Sequence, residues 1–149
     1  MTTRRLRLRI EDEEDLSVAA SVLQDAIIPA ADMAFLPDEQ RFVFVANRFC
    51  WEEKGGANAG FERVNCGVAF EGVSAVRSRD VATDPGAMLN LLTVGVEDGA
   101  IMLVFAGGGA IRLDAGAVRG HLEDLGEPWP TRSRPEHPGA EGETAKDPD

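Results

Sequence analysis

Asp98-Gly99 stands between two apolar runs, residues 88–96 and 101–105, and no other feature restricts the fold as tightly. An Asp-Gly pair readily takes the backbone of a two-residue hairpin turn, whose twist matches that of the strands it joins. Such a turn sets Val96 opposite Ile101, Val94 opposite Leu103 and Leu92 opposite Phe105. The other face carries Leu89, Leu91, Met102 and Val104, so both sides of the hairpin are apolar. A hairpin of this kind is expected at the centre of a fold, covered on both faces. Gly107-Gly108-Gly109 makes the next turn; taken as the loop, it pairs Phe105 with Ile111 and Leu103 with Leu113. Residues 89–113 therefore read as a two-turn antiparallel meander lying in the interior.

The flanking segments are consistent with more strands and a little helix. Arg5, Arg7 and Arg9 alternate with Leu6, Leu8 and Ile10, the pattern of a strand with one wet face. Asp12 is placed to cap a helix whose acidic first turn suits the helix dipole. Leu16, Ala19, Ala20, Leu23 and Ile27 form its apolar stripe, and Pro29 closes it. Residues 33–36 and 41–51 flank the turn Pro37-Asp38-Glu39-Gln40, setting Phe35 opposite Phe42 and Met33 opposite Phe44. Residues 63–70 alternate again, with Val64, Cys66, Val68 and Phe70 on one face, before a turn or bulge at Glu71-Gly72. Residues 54–60 (KGGANAG) read as a flexible loop. Asp114 can cap a second helix through Leu125, striped by Val118, Leu122 and Leu125, with Gly126 and Pro128 as its stop.

These elements predict an α+β fold: a mainly antiparallel curved sheet or half-barrel of about seven to eight strands. It carries one helix at about 12–28 and a C-terminal helix at about 115–125. Sequential strands followed by a terminal helix also suit a pleckstrin-homology-like barrel as the alternative. Residues 1–130 are expected to form a single domain, and 131–149, dominated by Pro and charge, a disordered acidic tail.

The chain has 149 residues, a formal net charge of −11 and 44% hydrophobic residues, which bounds it to an ordinary globular class. An acidic surface repels phosphate backbones and anionic headgroups, so neither nucleic acid nor membrane is an expected partner. Two cysteines, Cys50 and Cys66, make no disulfide framework. The opening residues hold no signal-peptide core, and no apolar run approaches the ~20 residues of a membrane span. A cytoplasmic location is the expectation.

Reactive side chains are few. His121, Glu123 and Asp124 would share the second helix, where only His121 and Asp124 stand on one face at i, i+3. An exposed helical histidine is the expectation, with neither a metal nor a cofactor, since metal sites need more imidazole or thiolate than this. Gly107-Gly108-Gly109 lacks the strand-to-helix setting of a phosphate loop and reads as a hairpin turn. Cys66 reads as a buried small hydrophobe, as does Cys50. The face of Arg5, Arg7 and Arg9, with Arg41 and Arg48 nearby, is the one basic concentration; it is a candidate for an anionic ligand, against the reading of a solvated edge strand. Trp129, between Pro128 and Pro130, is a candidate partner anchor, against the reading that it folds back into the core. Glu62, Glu71 and Asp98 are the carboxylates available to a small enzyme.

Four stretches, residues 6–26 (LRLRIEDEEDLSVAASVLQDA), 47–52 (NRFCWE), 105–114 (FAGGGAIRLD) and 122–130 (LEDLGEPWP), resemble an uncharacterised bacterial domain-of-unknown-function family of about 150 residues. The resemblance implies one family domain up to about residue 130 and transfers no catalytic residue. The functional expectation is a non-catalytic binding or protein-interaction module, working as a homo-oligomer or with a protein partner. The alternatives are a carboxylate-dependent enzyme and an anionic-ligand binder on the arginine face.

Overall fold

A computed structural model of the chain describes residues 6–51, 61–126 and 129–131, with the backbone alone at 50, 51, 61, 62 and 129–131. The opening alternation becomes strand β1 (Arg7–Ile10), with both arginines outward and Ile10 in the core. Helix α1 (Glu13–Leu23) follows. The Asp12 carboxylate accepts from the Asp15 amide at 2.8 Å, and Asp15 in turn accepts from the Glu11 amide at 2.9 Å. The helix buries Leu16, Ala19 and Leu23 and is shorter than the 12–28 expected. Pro29 disfavours helix in the residue before it. The break comes earlier still, with Gln24 already extended and Asp25 at φ +68°, and residues Ile27–Pro29 form an extended strand, β2, which buries Ile28 in the sheet.

The next hairpin has the expected register. Strand β3 (Met33–Leu36) pairs with β4 (Arg41–Trp51), with Phe35 opposite Phe42 and Met33 opposite Phe44. Strand β5 (Phe61–Glu71) pairs with β4 along its whole length and passes through Gly72, at φ +73°, straight into β6 (Val73–Arg79). The meander follows as β7 (Met88–Glu97), β8 (Ala100–Phe105) and β9 (Ala110–Ala115). Two more strands, β10 (Gly120–Asp124) and β11 (Trp129–Thr131), complete the described set.

All eleven strands join one open antiparallel sheet in the order β1-β10-β5-β4-β2-β7-β8-β9-β6, with β3 also on β4 and β11 also on β5. Because β5 lies mid-sheet and β6 at its far end, the bend at Gly72 curls the sheet into two leaves. One leaf centres on β10, β5 and β4, the other on β8 and β9. Their inner side chains, with the buried stripe of α1, make one core around Phe44, Phe70, Leu91, Leu103 and Leu122.

Four expectations need correction. First, residues 115–125 form no helix. Gly116 and Gly120 weaken a helix there, and the period-2 pattern of β10 was hidden because a charged residue, Asp124, takes an inward position beside Leu122. The described residues thus hold one α-helix, two single-turn 3-10 helices and eleven strands rather than seven to eight, and the pleckstrin-homology-like alternative loses the terminal helix it rested on. Second, a bulge between Leu91 and Thr93 places Leu91, not Leu92, opposite Phe105, and leaves Leu92 44% exposed. Third, the loop between β8 and β9 closes one residue earlier, with the Phe105 amide donating to the Gly109 carbonyl at 2.8 Å. Leu103 then meets Ile111 and Ile101 meets Leu113. The shift is by two in register, so the apolar face stays continuous.

Fourth, the meander is covered on one face only. Ile101, Leu103 and Phe105 are buried, but Met102 and Val104 are only half-buried and Met88 is 59% exposed. With the second helix replaced by a strand of the sheet, no second helical layer remains among the described residues to cover the outer side. The expectation for 54–60 as a loop lies outside the described residues; so does that for 131–149 as a disordered tail, except at Thr131, which is the last residue of β11 rather than tail.

Candidate functional site

On the outer face of the first leaf, strand pairing lines up two rows of side chains. One runs Arg9, His121, Ala69, Val43; the other runs Arg7, Glu123, Gly67, Val45. Both have long side chains at one end and small ones on β5, the central strand. The result is a groove of about 300 Å³, floored by Val43, Val45, Gly67 and Ala69 and rimmed by Asp32, Arg41, His121, Glu123 and Leu125. A smaller recess of about 170 Å³ adjoins it, with His121 lining both and Arg9 and Arg119 on its own rim.

The structure therefore brings together residues that the sequence reading kept apart. A helix would set His121 and Glu123 on different faces; on a strand, residues two apart point the same way. Their outward face is shared with Arg7 and Arg9 of the arginine face. Arg5 lies outside the described residues. Arg7 pairs with Glu123 at 3.4 Å and Arg9 with Glu11 at 3.6 Å, both in solvent. Arg41 lies on the same face of β4 and contacts Glu71 at 3.2 Å and Glu39 at 3.7 Å. The arginine face is thus largely matched by carboxylates of its own.

Asp124 and Arg48 point the other way, inward. The Arg48 guanidinium forks onto the Asp124 carboxylate, Nε to Oδ1 at 3.1 Å and the terminal nitrogen to Oδ2 at 2.9 Å. The carboxylate also accepts from the Leu6 amide at 2.9 Å. Its side chain is 1% exposed, so the pair closes one end of the core. Cys66 sits directly across from Asp124 in the sheet and is fully buried. Burial pushes its thiol up to about 12; Arg48 pulls it down and Asp124 pushes it up by lesser amounts. That thiol stays protonated and offers no nucleophile at neutral pH. On the outer face, the buried Arg63 donates to the side-chain oxygen of Asn47 and, at 3.0 Å, to its backbone carbonyl, with its guanidinium 5.2 Å from the centre of the Phe49 ring.

Sequence reasoning missed Asp32, Gly67 and Arg63, and gave Arg48 and Asp124 the wrong surroundings. A clue to Gly67 was available: on the outward positions of 63–70, Gly67 and Ala69 follow Arg63 and Asn65, so the face that should be polar turns small. Of the carboxylates considered for catalysis, Glu71 is tied to Arg41, Asp98 is exposed at the hairpin turn, and the Glu62 side chain lies outside the described residues. The glycine triplet lies in the β8–β9 hairpin loop, whose turn spans 106–108, with no helix following it. Trp129 pairs through its backbone with Arg63, extending the sheet; the expectations for its side chain and for that of Cys50 fall outside the described residues. Among the described residues no cluster of three or more His, Cys, Asp or Glu is placed to hold a metal ion, and no helix is long and apolar enough to cross a membrane.

Comparison with known proteins adds a family and nothing more specific. No curated protein and no solved structure matches the chain. One family model does, described as a protein of unknown function (DUF2948), and it covers residues 6–137. That span takes in every element described above, from β1 to β11. The chain belongs to the DUF2948 family of proteins of unknown function.

Proposed function

We propose that the chain is a non-catalytic binding module whose ligand seats in the groove across β4, β5 and β10. The observation that carries this reading is Gly67. A glycine inside a central strand weakens it, through lost backbone entropy and an empty side-chain position. Nothing in the fold demands it: a Cβ built there meets only the Leu125 side chain, at an ordinary 3.5 Å. What the glycine supplies is depth in the middle of an apolar floor ringed by charged and polar groups, the usual make-up of a small-molecule or side-chain pocket. The volume suits one apolar side chain of a partner protein or a small amphipathic molecule. Meanwhile Cys66 and Asp124, the groups with most to offer chemistry, are withdrawn into the core.

A screen of small amphipathic molecules read by amide chemical shifts tests this. Binders should move Val43, Val45, Gly67, Ala69 and His121 together, and Gly67→Leu should abolish the response while keeping a dispersed spectrum. A library that never moves these amides, or binders indifferent to Gly67→Leu, would contradict it. A carboxylate-dependent enzyme is the second reading, favoured by one fact: Asp32, Glu123 and His121 line the same groove. It requires turnover of some substrate that Asp32→Asn or Glu123→Gln reduces at least tenfold.

A further inference from the structure

The far edge of the sheet is the other place where the molecule presents unspent chemistry. Strand β6 ends the ladder and, among the described residues, pairs only with β9. On its free side, the Val73 amide donates to the Gln40 carbonyl at 2.8 Å, and beyond that residue no other strand among the described residues engages its backbone. Arg77 and Arg79, two apart and on the outward face, are exposed and make no salt bridge among the described residues. Arg77 stands directly opposite Arg112 of β9, a like-charge pair across strands. Arg112 is matched by Asp114 at 2.9 Å, whereas Arg77 has no such relief. Like charges placed directly opposite destabilise a sheet. The contrast with the other edge is sharp: Arg7 and Arg9 each have a carboxylate, and the chain as a whole carries 26 acidic residues against 15 basic.

We infer that the β6 edge receives an acidic, extended segment of a partner protein, added as a further antiparallel or parallel strand with carboxylates two residues apart against Arg77 and Arg79. An open edge supplies main-chain hydrogen bonds to any extended peptide, and side-chain matching supplies the selection. A second copy of this chain is a poorer occupant, because pairing β6 with β6 sets arginines beside arginines. Among the chain's own residues 132–149, Pro135 and Pro138 lack the amide hydrogens a strand needs, while 139–147, with Glu141 and Glu143 two apart and no proline, is the competing occupant that the test separates.

The test uses the full chain and a capped peptide of alternating Thr and Glu, seven residues long, with Thr-Gln and Thr-Lys versions beside it. Saturable binding of the Thr-Glu peptide alone, weakening with salt, should move the amides of 74–79 and 110–114. The double variant Arg77→Glu/Arg79→Glu should lose at least tenfold in affinity for Thr-Glu and gain affinity for Thr-Lys. Should that variant fold poorly, Arg77→Gln/Arg79→Gln should still lose several-fold. Several outcomes would overturn the inference: no binding at millimolar peptide, equal binding of Thr-Gln, shifts confined to the His121 groove, or an unchanged double variant. So would a dimer through β6, or movement of the 136–149 amides in the unliganded double variant, which would identify the chain's own tail as the occupant.

Discussion

Asp124 is held between the Arg48 guanidinium and the Leu6 amide, with 1% of its side chain exposed. Removing one partner of such a pair leaves the other charge buried and uncompensated, which costs about 3–5 kcal/mol. Asp124→Ala should therefore destabilise the protein by an amount in that range in urea unfolding; a change below about 1 kcal/mol would mean the pair is solvated. Cys66 gives a pH signature. Its thiol ionises near 9.0 when unfolded but only at about 12 when folded. Between those values the unfolded state binds fewer protons, so the stability this group contributes is intact below pH 9 and declines as pH rises, by up to about 1.4 kcal/mol per unit. Wild type should lose stability faster than Cys66→Ala above pH 9, and parallel curves would contradict this. The two residues differ in how far sequence exposes them. A cysteine within an apolar alternation is legible as buried. An aspartate in Gly-His-Leu-Glu-Asp is not, because its inward place depends on Arg48, 76 positions away in the chain.

At the scale of elements, local signals were reliable and competing periodicities were not. The Asp12 cap, the Phe35–Phe42 and Met33–Phe44 register, and the Asp98-Gly99 turn all join residues near one another along the chain, across a single turn. Strand β10 was misread because Val118, Leu122 and Leu125 fit a helical stripe, while its true partners, β1 and β5, are distant in sequence. Its glycine separates the two readings. In the sheet, a Cβ at Gly120 would collide with the Ala69 carbonyl oxygen. Gly120→Ala should thus destabilise the protein or shift the β5–β10 pairing, whereas in a helix the same change would stabilise by about 1 kcal/mol. Gly67→Ala is the counterpart: without backbone conflict it should stabilise by about 0.5–1 kcal/mol. Thermal and urea unfolding of the two variants should move in opposite directions, and movement in the same direction would put one glycine in the wrong setting.

For the whole molecule, the decisive fact is that one chain run, β5 into β6, serves both the middle of the sheet and its far end. Curling follows from it, and among the described residues one α-helix covers the curled sheet and no element lies over the outer sides of the two leaves. One outer side carries the groove, and the opposite edge carries the unmatched arginines. The general class, a mainly antiparallel curved sheet with few helices, was legible from hairpin chemistry; that the sheet stays open and which faces it leaves uncovered were not, because that depends on where every element ends up. Placement of β10 decides the groove, since it alone puts His121 and Glu123 on the outer face beside Gly67. Cross-strand nuclear Overhauser contacts of residues 115–125 measure that placement directly. The expected result is contacts from 120–124 to 66–70 on one side and to 7–10 on the other, whereas i, i+3 helical contacts through 115–125 would contradict it.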